Sequence, residues 1–375
     1  MTEDLLVVAG EASGDRAAAG ARARLHGVRA YGMGGGALRR EGVELLVDLS
    51  TTTAMGFGEV ARRAWNVGIA FGKLQAAIRS KPPRAALLVN YTEFNARLAS
   101  TLWSLGTRVL WYGAPQIWAW RAGRAIPLRR HLDRLAVMLP FEEKLWRDKG
   151  VDAHYVGHPA IEERRGPGHR TAARELLGIT PFCAAVALLP GSRPHEVRRL
   201  LEPMLEGFEA VRRDRASVDA RLLLAPSLDD ETRAWARDLC RPREIEVADV
   251  DPHAGIAYAL PAFDAALCAS GTASLECALA RVPPIVCYRV GWATEAAARL
   301  LVDVPFVALP NILLGRGAFP ELLQRDVAKD RIADALTQIL DGKDGFVAAC
   351  AEVEAALGDR RTPGEDVARM LAPWL

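Results

Sequence analysis

Short apolar runs recur along the chain, each followed by a stretch whose apolar positions repeat with helical spacing. The runs are Leu5–Ala9, Ala86–Val89, Arg108–Tyr112, Leu135–Leu139, Ala184–Leu189, Arg221–Ala225, Ala265–Cys268 and Pro284–Tyr288. Runs of this length, bounded by turn residues and alternating with helical segments, predict strands buried on both faces of parallel sheets. The polar stretch Glu162-Glu163-Arg164-Arg165-Gly166-Pro167-Gly168-His169 interrupts the alternation near the middle and has the composition of a linker. The expected organisation is two α/β domains, residues 1–164 and 165–375. Beyond Asp330 the pattern is helical alone, clearest over Ile332–Leu340 and Val347–Leu357, and one of the terminal helices can cross back to the first domain.

Two segments break the polar-outside rule. In the first, Met55-Gly56-Phe57-Gly58-Glu59-Val60 runs into Trp65, Val67, Ile69, Phe71 and Leu74, with Arg62, Arg63 and Lys73 interleaved, so Ala54–Ile78 reads either as a packed helix pair or as an apolar wall for acyl chains or a bilayer surface. In the second, Gln116-Ile117-Trp118-Ala119-Trp120-Arg121 precedes Arg124, Arg129 and Arg130, and amphipathic aromatics beside guanidinium groups suit a headgroup interface.

Composition narrows the class. With 375 residues, 50% of them apolar, the chain can build two cores. A net charge of +2, with both signs interspersed, speaks against a dedicated nucleic-acid binder, which needs a concentrated basic footprint. The cysteines at 183, 240, 268, 277, 287 and 350 form no C-x-x-C pair, and several fall in apolar runs, as buried thiols of a reducing compartment do; no zinc-type spacing is present. The start, Met1-Thr2-Glu3-Asp4, is acidic, its apolar run is too short for a signal peptide, and no run reaches the length of a membrane span. The expected location is the cytoplasm, with attachment to a membrane surface left open.

Candidate chemistry sits where strands end. Ala9-Gly10-Glu11-Ala12-Ser13-Gly14-Asp15 joins the first run to an Ala/Arg helix expected to begin near Arg16. It lacks G-x-G-x-x-G and a following G-K-[ST], and its two carboxylates would repel phosphate, so it reads as a helix cap made by Ser13 or Asp15, or as a site of another kind. After the second run comes Val89-Asn90-Tyr91-Thr92-Glu93-Phe94-Asn95, where Glu93 is either a base facing a ligand crevice or a first-turn helix acid. In the second half, Leu188-Leu189-Pro190-Gly191-Ser192-Arg193 leaves a buried strand for a helix, which suits an anion held by backbone N–H groups and a forked guanidinium. Its companion is Ala269-Ser270-Gly271-Thr272-Ala273-Ser274-Leu275-Glu276, where Glu276 can accept ribose hydroxyls or serve as helix surface charge. Val307–Arg316, with Asn311, Gly315 and Arg316, reads as a site loop or a buried connection.

Together these motifs resemble the lipid-A-disaccharide synthase family over nearly the whole chain. The resemblance rests on Ala9–Asp15, Gly32-Met33-Gly34-Gly35, Met55–Val60, Pro115–Arg121, Leu139-Pro140-Phe141-Glu142 and Val156-Gly157-His158-Pro159. It continues through Leu189–Arg193 with Glu196, Ala269–Ala273 with Glu276, Tyr288-Arg289, and Pro310-Asn311 with Gly315-Arg316. The family implies a GT-B architecture: two Rossmann-like α/β domains facing a central cleft, with a helical C-terminal segment. It implies transfer of 2,3-diacylglucosamine from its UDP carrier to the 6-hydroxyl of 2,3-diacylglucosamine 1-phosphate, giving a β-1,6 disaccharide and UDP with inversion. The first domain would hold the lipid acceptor and the second the UDP-sugar.

On that resemblance, UDP is held by Gly191, Ser192, Arg193, Glu196, Ser270, Gly271, Thr272, Glu276, Tyr288, Asn311 and Arg316. Glu93 is the base, assisted by Glu11, Ser13 and Asp15. No metal or cofactor is expected, a homodimer is left open, and the enzyme would rest on the cytoplasmic side of the inner membrane. One departure stands out. Where the family shows Asp-x-x-Asp-Phe-Asn, this chain has Asn90-Tyr91-Thr92-Glu93-Phe94-Asn95. Asn90 cannot be a base, and the longer Glu93 displaces its carboxylate, where ~1 Å can cost on the order of a hundredfold in rate. Two alternatives therefore remain: another GT-B enzyme of UDP-sugars, such as an epimerase or a transferase of lipid-linked cell-wall precursors, and a non-catalytic paralogue that binds UDP-sugar or lipid.

Overall fold

Strands without a polar position must be covered on both faces, and the apolar runs are placed that way. The computed structural model describes residues 4–49, 59–118, 128–164, 167–215, 217–252, 254–291 and 305–375. A first sheet contains β1 (Leu5–Ala9), β2 (Ala30–Gly34), β3 (Glu44–Asp48), β4 (Ala85–Val89), β5 (Arg108–Tyr112), β6 (Arg134–Val137) and β7 (Ala153–Tyr155). A second contains β8 (Ala184–Leu189), β9 (Val218–Leu224), β10 (Glu246–Asp249), β11 (Ala265–Ala269), β12 (Pro284–Tyr288) and β13 (Glu321–Leu323). The orders are β3-β2-β1-β4-β5-β6-β7 and β10-β9-β8-β11-β12-β13, with parallel pairing throughout.

Each sheet grows outward from its first strand in one direction and then resumes on that strand's other side. The winding therefore reverses between β1 and β4, and again between β8 and β11. Loops leaving the carboxyl ends diverge at such a switch point and leave a crevice. Register makes the two exits level: Ala9 pairs with Val89, and Leu189 with Cys268.

Five strands lie outside the apolar runs of the sequence, for physical reasons. Strands β3 and β10 close the sheet edges and carry acids at both ends, Glu44 and Asp48 in one, Glu246 and Asp249 in the other. Strands β7 and β13 have three residues each, too few for a pattern. In β2, Tyr31-Gly32-Met33-Gly34 is poor in strand formers, yet a Cβ at Gly32 would strike the Val7 carbonyl.

The chain divides into two compact units, one of residues up to Glu162 together with Asp359–Leu375, the other Glu163–Gly358. In the first, Leu6 and Val8 face a core with Leu74, Leu98 and Trp111, while Leu5 and Val7 face one with Ala18, Leu38 and Leu371. Helices Lys329–Asp341 and Lys343–Ala356 belong to the second unit. Helix Pro363–Leu371 belongs to the first, where Gly364 lies against Gly20 of helix Ala12–Arg22 and Arg134 donates to the Met370 carbonyl at 2.6 Å.

The apolar Ala54–Ile78 segment resolves into two faces where it is described; Met55–Gly58 lie outside the described residues. On helix Glu59–Ser80, Ala70, Leu74 and Ile78 are buried in the core, whereas Trp65 is 71% and Ile69 46% exposed. The packed-helix reading thus holds for one face only. Among the described residues no helix is long and apolar enough to cross a membrane.

One buried charge cluster ties the second unit together. The Asp264 carboxylate, at the start of β11, accepts from Arg170 at 2.8 Å, Arg174 at 2.9 Å, the Ala185 N–H at 2.9 Å, and Lys343. Burial by itself would raise its pKa, but the hydrogen bonds from Lys343 and Ala185 and the charges of Lys343 and Arg170 hold it below the ordinary value. Among the described residues Arg174 pairs with no other carboxylate, and it is itself 4% exposed. Asp264→Ala is therefore expected to destabilise the second unit by about 3–5 kcal/mol in urea unfolding, the cost of an uncompensated buried cation. A loss under about 1 kcal/mol would show that the cluster relaxes without it.

Candidate active site

The first switch point is built on backbone strain. Directly after β4, Asn90 (φ 49°) and Tyr91 (φ 42°, ψ 54°) are both left-handed, and neither is glycine. Such residues cost of order 1–3 kcal/mol each and persist only where their surroundings enforce them. Here the enforcement is visible. Asn95, fully buried in helix Thr92–Ser104, donates its carboxamide N–H groups to the carbonyls of Val89 at 3.2 Å and Asn90 at 2.9 Å. Its own Oδ1 is buried with no hydrogen-bond partner, so the amide is kept at a cost. The Tyr91 ring stacks on Phe94 with centroids 5.0 Å apart, and Phe94 in turn meets Phe71 edge-on at 5.3 Å.

The neighbouring strand ends are shaped around this turn. A Cβ at Gly10 would overlap the Tyr91 ring, so only glycine lets β1 exit here. A Cβ at Gly113, after β5, would overlap the Asn90 Oδ1. The Asn90 carboxamide thus sits between the β1 and β5 exits, with its Nδ2 near Gly14. Glu93 is exposed in the first turn of the helix that this strained turn launches, and Glu11 is exposed just beyond the end of β1.

Two expectations about the opening turn need correction. Its helix begins at Ala12, with Glu11 at the N-cap and no side-chain cap bond, so neither Ser13 nor Asp15 caps it. Asp15 is 5% exposed, and its oxygens accept from Gly35 N–H at 2.6 Å, Ala37 N–H at 2.9 Å and Leu38 N–H at 3.3 Å. It fastens the loop after β2. Ser13 is half-buried on the same helix.

At the second switch point, Gly191 (φ 123°), Ser192 and Arg193 leave β8, while Ser270, Gly271 and Thr272 leave β11. Gly271 and Thr272 are exposed, nothing lies within 4 Å of where a Gly271 Cβ would stand, and helix Thr272–Leu279 opens with N–H groups that no residue within the helix can pair. This turn has the form of an anion seat. The Gly191 turn differs from the expectation. Glu196 Oε2 already accepts the N–H groups of Ser192 at 3.1 Å and Arg193 at 3.3 Å, and Oε1 meets the Arg193 guanidinium at 3.4 Å. Glu196 therefore shapes the turn, and Arg193 is 49% exposed.

The remaining expected contacts divide in the same way. Asn311 is wholly buried: Nδ2 donates to the Phe319 carbonyl and to Glu321, and Oδ1 accepts the Phe319 N–H at 2.9 Å. It staples the 308–321 segment. Ser270 Oγ donates to the Val307 carbonyl at 3.1 Å, joining that segment to the β11 exit. Arg316 is exposed and pairs with Glu352 at 2.7 Å. Tyr288 stands 37% exposed at the end of β12, and Glu276 is half-buried one turn inside its helix.

This arrangement has close relatives in sequence. The lipid-A-disaccharide synthetase family matches residues 5–360. The chain belongs to this family. The lipid-A-disaccharide synthase of Anaeromyxobacter dehalogenans (strain 2CP-C) is 40% identical over 370 residues, covering 97% of this chain and 95% of its own. That of Myxococcus xanthus (strain DK1622) is 39% identical over 379 residues, covering 98% of each. Among solved structures, the UDP-GlcNAc 2-epimerase from Neisseria meningitidis bound to UDP-GlcNAc is similar in fold, with a TM-score of 0.66 at 10% identity over 99% of both chains. The paired α/β units are of GT-B type, and the protein is a glycosyltransferase of lipid A disaccharide formation.

For a lipid-A-disaccharide synthase family member, one buried acid stands outside the expected set. Glu142, in the first turn of helix Pro140–Arg147 after β6, is 3% exposed; its Oε2 accepts the Leu139 N–H at 3.1 Å and its Oε1 the Trp118 indole N–H at 3.0 Å. Burial pushes its pKa up to about 7, against the pull of the hydrogen bonds from Trp118, Leu139 and Met138. The Pro-x-Glu start of that helix is a capping signal legible in sequence; its bond to Trp118 is not. Trp118, from the segment whose aromatics suit a headgroup interface, is half-buried, with its indole N–H on Glu142 and its ring edge-on to Phe141 at 5.5 Å. Trp120, Arg121 and Arg124 lie outside the described residues.

Gly10→Ala should destabilise the first unit by about 2 kcal/mol through overlap with Tyr91, and in a Tyr91→Ala background the same change should cost under about 0.5 kcal/mol. Additive effects in denaturant unfolding would mean that the two do not touch. Glu142 gives a pH signature. Its folded pKa lies above its unfolded one, so its contribution is full below about pH 4.5 and is lost as pH rises through about 7. The stability difference between wild type and Glu142→Gln should shift by up to ~3 kcal/mol between pH 4 and pH 8, in favour of the variant at high pH; a pH-independent difference would contradict the burial argument.

Proposed function

We propose that the protein transfers 2,3-diacylglucosamine from UDP to the 6-hydroxyl of 2,3-diacylglucosamine 1-phosphate. The bond from acceptor O6 to the anomeric carbon forms as the bond to the diphosphate breaks; its electron pair leaves with UDP, and inversion gives a β-1,6 linkage. The observation that carries this reading is the coincidence, within a member of this family, of both nominated motif pairs with the two switch points. In the second unit, the helix start at Thr272 and the Arg193 guanidinium supply positive charge for the leaving diphosphate, with Glu276 on the ribose. In the first, Glu93 takes the acceptor proton, and the enforced Asn90–Tyr91 turn fixes where its helix starts.

Both substrates carry acyl chains. Exposed Trp65 and Ile69 suit contact with them, or with the surface of the inner membrane. Purified protein should release UDP and a monophosphorylated disaccharide together when given the two diacylated substrates. Glu93→Gln should fold normally and lose about 10²–10⁴-fold in kcat, the worth of a general base. If the variant keeps most of its activity, the base lies elsewhere. The Asn90 departure favours one rival, a non-catalytic paralogue, and UDP binding without disaccharide at high protein concentration would select it.

A further inference from the structure

Beyond β5 the chain runs Gly113-Ala114-Pro115-Gln116-Ile117-Trp118, starting against Asn90 and ending on Glu142. We propose that Glu142 is a positioning residue whose ionised carboxylate latches this segment beside the first switch point, so that proton uptake by Glu142 releases it. The proposal rests on the transferase reading for its kinetic consequence, and on geometry alone for the latch.

Among the described residues the segment is attached at three places. Gly113 N–H donates to Ala136 of β6 at 2.9 Å, and its carbonyl accepts the Trp111 indole N–H at 3.1 Å, which fixes the near end. Ile117 is 4% exposed in the core of the first unit. At the far end the polar tie is the Trp118 indole on Glu142, with Phe141 packed edge-on against the ring. An ionised carboxylate accepts from Trp118 on one oxygen and from Leu139 on the other. A neutral carboxyl carries a hydrogen on one of them, which turns that oxygen from a strong charged acceptor into a weak one. Leu139 belongs to the helix start and cannot leave, so the Trp118 bond is the one that gives way.

Among the described residues, the groups around Glu142 leave it to titrate alone near neutrality. From the segment it meets an indole, which does not ionise. From its own helix start it meets the backbone at Met138 and Leu139. From β7 it meets Tyr155, whose hydroxyl burial pushes up to about 12, against the pull of Arg360 and Arg361, so Tyr155 stays neutral. The latch should therefore be closed above about pH 7 and open below it.

The test combines the indole N–H resonance of Trp118 in protein labelled with ¹⁵N-tryptophan, assigned by its loss in Trp118→Phe, with steady-state kinetics between pH 6 and pH 8.5. The wild-type resonance should move with a midpoint near 7, and the KM for the acceptor should rise about tenfold on the acid side, the loss of one hydrogen bond to a charged group. The KM for the UDP-sugar should stay level. In Glu142→Gln the resonance should not titrate, and the acceptor KM should sit at its acid-side value throughout. Trp118→Phe, which keeps an aromatic ring without the donor, should give the same flat profile if Glu142→Gln fails to fold. A wild-type resonance that does not titrate, or a Trp118→Phe protein with the wild-type acceptor profile, overturns the proposal. If no disaccharide forms, the transferase reading fails, and the resonance still decides the latch.

Discussion

In a parallel sheet the chain must leave every strand at the same edge, and where the winding reverses, the loops of two adjacent strands depart in opposite directions. This single constraint sets the rest. Because Ala9 is level with Val89, and Leu189 with Cys268, the exits at Gly10 and Asn90, and at Gly191 and Ser270, are neighbours before any side chain is considered. What sequence supplies is the means of keeping those exits clear: glycine where Tyr91 comes close at Gly10, and small residues around Gly271, where open space remains.

Acids next to these exits mostly face backbone. Asp15 holds the loop at Gly35–Leu38, Glu196 the Ser192–Arg193 turn, Glu321 the N–H groups of Val307 and Ala308, and Glu142 that of Leu139. A loop beside a crevice cannot satisfy its N–H groups from a sheet ladder, and a carboxylate accepts several at once while leaving the crevice face free. Such acids give their loops defined shapes, so that the fewer exposed groups, Glu93, Arg193 and Thr272 among them, are presented from rigid positions.

That division explains what sequence could and could not reveal. The central strands were legible because burial on both faces leaves only apolar residues; β3 and β10 were not, because an edge strand ending in acids looks like a loop. Motif positions were legible too, since strand-turn-helix junctions carry glycine and small polar residues. The direction a side chain takes was not. Asp15 and Glu11 are four residues apart on one turn, and nothing in their spacing tells that one is buried under three N–H groups while the other is exposed. Asn311 misleads in the same way, because a buried amide stapling its own loop and an amide awaiting a sugar share one sequence signature.

The same logic separates two glutamates that both follow strands of the first sheet. A raised pKa near neutrality would ordinarily nominate Glu142 as a base. Its geometry refuses: both oxygens are engaged, one by a backbone group that cannot move, and 3% exposure leaves no path to a substrate hydroxyl. Glu93 differs in geometry, exposed at the innermost strand exit and launched by a turn that two left-handed residues and a buried asparagine hold in place. Strain is tolerated where position matters, and here it is concentrated under the acid that can reach solvent, while the acid with the perturbed pKa is left to govern the segment beside it.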